Sequence, residues 1–310
     1  MNTLRTSLQD YLSMRRSLGF KLHTEGVALL SFVAFMEQAQ ADFITLTLAL
    51  AWARQSTSVQ PGRWAQRLSY VRGFARYCGA MDARTEVPAS GLQPFCYHRP
   101  SPYFFTDDHI DRLLCAVLEL PAQTALANPT LYCLFGLLSV SGLRIHEALS
   151  LTTEDVDLNE GILTIRSAKF GKSRLIPLHA TSVNVLADYQ ARREQFLNGR
   201  RTPYWFINAQ GERLEYDTVS NTFHRLIKTI GLTSQPGRAK PRLHDLRHRF
   251  AMKTLLNWYR DGQDVEQRLP ILSAFLGHVE VKDTYWYLSA CPELLEAAKL
   301  RLERHWEQAS

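Results

Sequence analysis

The pentapeptide HDLRH, residues 244–248, opens a run in which Leu246, Phe250, Ala251, Leu255 and Leu256 recur at helical spacing. That period places His244 and Arg247 on the first turn of a helix whose other face is buried. First-turn N–H groups and the helix dipole favour negative charge, and an arginine there adds a planar, two-pronged donor that suits a phosphate. The same residues would serve equally well as a capped helix start whose basic side chains face water. His244 and His248 also have the spacing of half a metal site, but no HExxH or CxxC accompanies them to complete a ligand set.

The bulk properties limit what such a helix can belong to. At 310 residues, with 45% hydrophobic and 21% charged residues, the chain has the composition of an ordinary soluble protein of about two domains. The net charge of +6 is concentrated early: residues 1–100 carry eleven Lys/Arg against six Asp/Glu, and the rest twenty-five against twenty-four. A basic N-terminal third points towards a polyanion partner. The five cysteines (Cys78, Cys96, Cys115, Cys133 and Cys291) have no paired spacing, so neither a disulfide framework nor a zinc site is implied and a reducing, cytoplasmic setting is expected. The apolar run LYCLFGLLSV from Leu131 is about half of the ~20 residues a membrane span needs. Arg5, Asp10, Arg15 and Arg16 interrupt any signal-peptide core.

Working along the chain, SLQDYLSMRRSLG, TEGVALLSFVAFMEQ, ITLTLALAWARQ and RWAQRLSYVRGFARYCG each read as a helix. The last interleaves Arg63, Arg67, Arg72 and Arg76 with Trp64, Tyr70 and Phe74, which makes either a solvated basic face or a helix lying along a DNA backbone. Residues 1–88 form the expected N-terminal domain. A Pro-rich linker is expected over 89–104, within TEVPASGLQPFCYHRPSPYFF, and a second domain over 105–310. In the latter, Thr106 offers a helix cap followed by acidic residues, and Gly142 ends the buried helix before Arg144, with Glu147 one turn further on. GILTIR (161–166) and SRLIPL (173–178) read as a hairpin whose loop carries Lys169 and Lys172, and WFIN reads as a further short strand. DTVSNTFHRLIKTIG reads as a helix, SQPGRAKPR as a basic loop, and 292–306 as a C-terminal helix with an apolar stripe of Leu295, Ala298, Leu302 and Trp306.

In order, GLRxxE, a hairpin lysine, HxLRH, LGH and a tyrosine nine residues after that His resemble the tyrosine recombinase (phage integrase) family. The resemblance covers roughly residues 100 to 290 and rests on Arg144 with Glu147, Lys169, His244 with Arg247, His278 and Tyr287. It implies a mainly α fold with a small β-sheet: a helical, SAM-like core-binding domain followed by an α+β catalytic domain. The implied activity is site-specific cutting and rejoining of DNA through a 3′-phosphotyrosyl bond, without metal, ATP or any cofactor. Arg144, Arg247 and His278 would meet the charge on the nonbridging oxygens, Lys169 would protonate the leaving 5′-oxygen, and His244 would help take the proton from Tyr287.

Some positions depart from the family pattern. Phe170 stands where the hairpin usually has Gly, and the GKSRLIPL register favours Lys169 over Lys172 as the acid. His146 and Arg249 replace a usual small residue and a usual Thr. TYWYL offers Tyr285 as well as Tyr287, but only Tyr287 has the family spacing from His278.

The implied partners are double-stranded DNA and further copies of the chain, as a tetramer on paired sites, with room for accessory recombination proteins and no membrane. The early start of the core-binding helices resembles transposon, plasmid or chromosome-dimer recombinases. A type IB topoisomerase would share the chemistry but act as a monomer. A DNA-binding accessory protein without catalysis would have no need of the full residue set, and a metal-dependent hydrolase would be sensitive to chelators.

Overall fold

Thr3 accepts a hydrogen bond from the Thr6 N–H and so caps the first helix, α1 (Leu4–Ser17). It is followed by α2 (His23–Gln38), by α3 (Leu46–Arg54) behind a second threonine cap at Thr45, and by α4 (Pro61–Gly79). Their apolar faces close on one core that includes Leu8, Leu12, Phe32, Val33, Trp52, Leu68, Val71 and Phe74, with Trp52 set edge-on to Phe32 at 5.1 Å. The chain leaving α4 is tied back to these helices. The Glu86 N–H donates to the Ile44 carbonyl, and Arg72 donates to the carbonyls of Pro88 and Ala89 at 2.7 and 2.8 Å.

The computed structural model describes residues 3–55, 61–93, 102–122, 124–166, 173–232, 240–290, 293–296, 298–299 and 303. It divides into two compact units, Met1–Arg99 and Pro100–Ser310.

The second unit is mostly helical around a small sheet. Thr106 caps α5 (Asp107–Leu118), accepting from the His109 N–H at 3.2 Å. α6 (Ala127–Ser141) is apolar on nearly every side and is packed by α5, α8 (Ala180–Leu197) and α10 (Leu243–Arg260), as a helix without a polar face requires. Phe223 of α9 (Tyr216–Thr229) bridges Phe105 and Phe135 at 6.3 and 5.7 Å; truncating it would cost about 3–5 kcal/mol.

The expected hairpin is present as β2 (Ile162–Ile165) and β3 (Arg174–Pro177), antiparallel with Leu163 opposite Ile176 and Ile165 opposite Arg174. A two-residue strand, β1 (Val156–Asp157), adds to the β2 edge. WFIN is not a strand: Tyr204 and Ile207 make only isolated bridges, to Thr152 and Arg213, while Trp205, Phe206 and Ile207 are buried. The apolar run reflects burial of an irregular segment and not a ladder. α11 (Val265–Leu276) and α12 (Lys282–Ala290) complete the unit, enclosing with α10 a second core of Ala251, Leu255, Leu269, Leu272, Leu276 and Tyr287. Among the described residues no helix is long and apolar enough to cross a membrane.

Candidate active site

The C-terminus of α11 is the focus of the site. Its last carbonyls have no intrahelical partner, and three guanidinium groups from three different elements take them in turn. Arg174 of β3 donates to the Phe275 carbonyl at 2.8 Å, Arg247 of α10 to the Leu276 carbonyl at 2.5 Å, and Arg144 to the Gly277 carbonyl at 2.9 Å. Cations at the negative end of a helix are favourably placed. Gly277 ends α11 at a φ of 67°, and a Cβ there would lie 2.8 Å from Arg174, so backbone conformation and crowding both call for glycine.

Arg144 is brought in by a second such glycine. Gly142 ends α6 at a φ of 61°, pressed so closely on Phe250 that a Cβ would lie 2.5 Å from its ring. The chain then turns into the short helix α7 (Ile145–Leu149), for which Arg144 is the N-cap, and the Gly142 carbonyl accepts from Arg247 at 2.7 Å. Glu147 reaches back to the Arg144 N–H at 2.9 Å and to its guanidinium at 2.8 Å. Both of its oxygens also face Arg174, at 3.1 and 2.8 Å. Burial pushes the Glu147 carboxyl up, but Arg174 and Arg144 outweigh it and bring it down to about 2.

Arg144 and Arg174 therefore share one carboxylate, and Arg247 lies within reach of its charge. Arg247 is 2% exposed, and burial followed by repulsion from Arg144 pushes it down to about 10, so it stays protonated at neutral pH. A cluster with this surplus of positive charge is built to receive an anion.

The HDLRH segment differs in detail from its expected geometry. α10 begins at Leu243, so His244 is on the first turn while Arg247 is the fifth helical residue, opening the second turn. The helix start is occupied by Asp245, fully buried, whose carboxylate accepts from the Arg242 N–H at 2.8 Å and from its guanidinium at 3.0 Å. Arg247 thus caps a different helix from its own. His244 is exposed, and its ring meets that of buried His248 at right angles, 4.6 Å between centroids. Arg249 is tied to Asp107 at the start of α5 and to the Ser139 carbonyl. His146 packs against Tyr216, the rings tilted by 34° with 4.9 Å between centroids.

Tyr287 lies 1% exposed on α12, with its hydroxyl 3.0 Å from Nδ1 of His248. His278, just past Gly277, bonds through Nδ1 to Thr284 at 2.8 Å and lies nearly parallel to the Tyr287 ring, 6.3 Å between centroids. Tyr285, two residues earlier, is 50% exposed and points elsewhere. The structure thus brings together Arg144, Glu147, Arg247, His278 and Tyr287, with His244 beside them. Lys169, Phe170 and Lys172 lie outside the described residues.

Sequence reasoning weighed His248 only as half of a metal site with His244, and assigned no role to Arg174, Asp245 or Thr284. Arg174 had a legible signal: strand alternation puts it on the same face as buried Ile176, an inward place for a charge.

In the N-terminal unit, Arg63 and Arg67 line a groove of about 650 Å³ with His23, Thr24, Val27 and Trp52. The Arg67 guanidinium lies 3.9 Å from the Trp52 ring centroid. Arg72 is engaged by the Pro88 and Ala89 carbonyls, and Arg76 is exposed.

Comparison with known proteins follows the same outline. Residues 104–293 match the phage integrase family. The chain is 50% identical to y4rB of Sinorhizobium fredii (strain NBRC 101917 / NGR234), provisionally named an integrase/recombinase, across 99% of both chains. It is 30% identical to the tyrosine recombinase XerD of Pseudomonas aeruginosa over 77% of this chain and 74% of that one. The fold is shared with the XerH recombinase in a post-cleavage complex with its difH substrate (TM-score 0.66, 19% identity, covering 91% of this chain and 80% of that). It is also shared with the Tn1549 transposon integrase in complex with transposon right-end DNA (TM-score 0.65, 16% identity, 96% and 98%). With its family match, its near-full-length relative and its converging arginines, the chain belongs to the phage integrase family and is a tyrosine recombinase.

Proposed function

We propose that the chain acts on duplex DNA by a covalent route that draws on neither metal nor ATP, through a 3′-phosphotyrosyl intermediate. The observation that carries this reading is the convergence of Arg144, Arg174 and Arg247 on consecutive carbonyls of one turn, with Glu147 as the shared carboxylate of Arg144 and Arg174 and with Tyr287 close to His278. Relatives of the same fold support DNA as the substrate, since XerH and lambda integrase were solved on their own DNA sites.

In the proposed reaction the Tyr287 phenol gives up its proton with help from His244, and its oxygen attacks the phosphorus. As that P–O bond forms, the bond to the 5′-oxygen breaks, and Lys169 protonates the leaving oxygen. Arg144, Arg247 and His278 take up the charge on the nonbridging oxygens; losing one such donor typically costs about 10²–10³ in rate. The energy of the broken bond is kept in the tyrosyl ester, so a second 5′-hydroxyl can reverse the step on a new partner. Because Tyr287 is buried, binding must first draw the phenol out of its cavity. Arg63, Arg67 and Arg76 are proposed to contact the DNA backbone, Arg72 through whatever donor capacity its two carbonyl bonds leave. The active species is proposed to be a tetramer on two sites, an arrangement for which the lambda integrase tetramer on a Holliday junction is the precedent. Residues 1–88 and 105–310 are proposed as the working domains.

The test is to express the protein in its host, sequence the DNA trapped on it, and supply two copies of the recovered site on a plasmid with purified protein and chelator. Exchanged junctions are expected without nucleotide. Relaxation of supercoils by monomer without any exchange, or loss of activity in chelator, would contradict the reading.

A further inference from the structure

We infer that Arg174 is a positioning residue for strand cleavage: it works through Glu147 and the Phe275–Gly277 turn to hold Arg144 and His278 in place, and does not touch the DNA itself. The inference rests on the proposed function and adds to it a residue absent from the family motif drawn above.

The geometry is unusually closed for an arginine on a strand. Its side chain is 11% exposed, its forked donors span both oxygens of Glu147, whose side chain is 8% exposed, and its Nε–H is spent on the Phe275 carbonyl. A planar fork with these bonds in place has little left to offer a phosphate. What it does control is its neighbours. Glu147 carries Arg144 on its other side, and the Gly277 carbonyl, two residues past Phe275, accepts from Arg144. Arg174 and Arg144 are thus joined twice, once through the carboxylate and once through the turn that leads directly into His278. With Arg174 gone, Glu147 would be left with a single cation, free to draw the Arg144 guanidinium towards itself and away from an incoming phosphate. A displacement of about 1 Å is enough to cost roughly 10²-fold in rate.

The position of Arg174 in the chain gives the contact a further consequence. It is the first residue of β3, and residues 167–173 separate it in the chain from Arg166. The two flanks of that segment are each fastened by an arginine–carboxylate pair: Arg166 to Asp155 at 2.5 Å on the exposed side, and Arg174 to Glu147 at 2.8 Å inside. Only the inner pair reaches the arginine cluster. A defect in Arg174 should therefore appear first in charge stabilisation, through Arg144, and not in delivery of the leaving-group proton.

The experiment measures single-turnover formation of the covalent adduct on a nicked site, with non-covalent affinity measured in a Tyr287→Phe background. Arg174→Gln is expected to slow cleavage at least 10²-fold while changing affinity by less than about threefold, with Arg174→Lys recovering part of the rate. A 5′-bridging phosphorothiolate, whose sulfur leaves without protonation, should not rescue Arg174→Gln. Glu147→Gln combined with Arg174→Gln should be no slower than the worse single variant, because both act on one relay. All rates are taken well below the lowest melting temperature of the set, so that unfolding does not enter.

Four results would overturn the inference: a rate within threefold of the unaltered chain, affinity and rate falling together, rescue by the sulfur substrate, or multiplying effects in the double variant. An unaltered chain that forms no adduct at all overturns the cleavage reading beneath it, an outcome distinct from adduct formation that is indifferent to Arg174.

Discussion

Tyr287 and His248, thirty-nine residues apart in the chain, meet in the interior of the second unit with the phenol oxygen 3.0 Å from the imidazole Nδ1. Both are almost fully buried, at 1% and 3% exposure, and Trp286 packs on each ring at 5.3 to 5.4 Å. The proposed nucleophile is therefore held by a polar partner on the HDLRH helix, one turn from His244.

A bond between two buried groups should be visible as coupling. His248→Phe and Tyr287→Phe are each expected to lower stability by about 1–3 kcal/mol in urea titrations, and the double variant by less than their sum. Strict additivity would show that the contact contributes nothing to the folded state.

Glu147 gives a pH dependence whose direction is fixed by its environment. Its carboxyl is brought from an ordinary value of 4.5 down to about 2 in the folded protein. The stabilisation this supplies is fully present above about pH 5 and is lost as pH falls towards 2, an effect of roughly 3 kcal/mol. Urea midpoints of the unaltered chain should drop across that window more steeply than those of Glu147→Gln. Parallel profiles would mean that the carboxylate gains nothing from Arg174 and Arg144.

The identity of the proposed leaving-group acid can be tested by changing the leaving group. Lys169→Ala should cripple cleavage of normal DNA but cleave a 5′-bridging phosphorothiolate far better, whereas Arg247→Ala should be slow on both. If the sulfur substrate rescues Lys172→Ala and not Lys169→Ala, Lys172 is the acid.

How much of this was legible in the sequence follows from the range of each interaction. Helix periods, the Thr106 cap, the break at Gly142 and the two strands of the hairpin are local, so sequence spacing announces them. The proposed catalytic residues stood out because their motifs occur in the order of the family that the sequence resembles. The contacts of Arg174 and His248 could not stand out in this way, since each meets a partner that only the tertiary fold brings near: Glu147 from twenty-seven residues away, and Tyr287 from thirty-nine. WFIN failed as a strand because burial alone produces the same apolar run as a ladder does. The Asp245 cap was hidden in plain view, its short side chain overshadowed by the basic residues on either side.

We propose that the apolar stripe of the C-terminal segment docks on a neighbouring copy of the chain and so supports the tetramer. Leu294 is buried against the Tyr287 core, whereas Leu295, the first residue of the expected stripe, is 55% exposed; Leu302 and Trp306 lie outside the described residues. Leu302→Glu with Trp306→Ala should leave single-site DNA binding intact and abolish cooperative binding and recombination, read by gel shift and by exchange on a two-site plasmid. Normal recombination by that variant would remove the docking role from the segment.

Identifying the residue that carries the DNA tests the central claim most directly. Protein incubated with a nicked site would be digested, and the peptide bearing the nucleotide sequenced, for the unaltered chain, Tyr285→Phe and Tyr287→Phe. The expected result is a 3′-phosphate ester on Tyr287 in the first two and no adduct in the third. An ester on exposed Tyr285, or an adduct that survives in Tyr287→Phe, would contradict it.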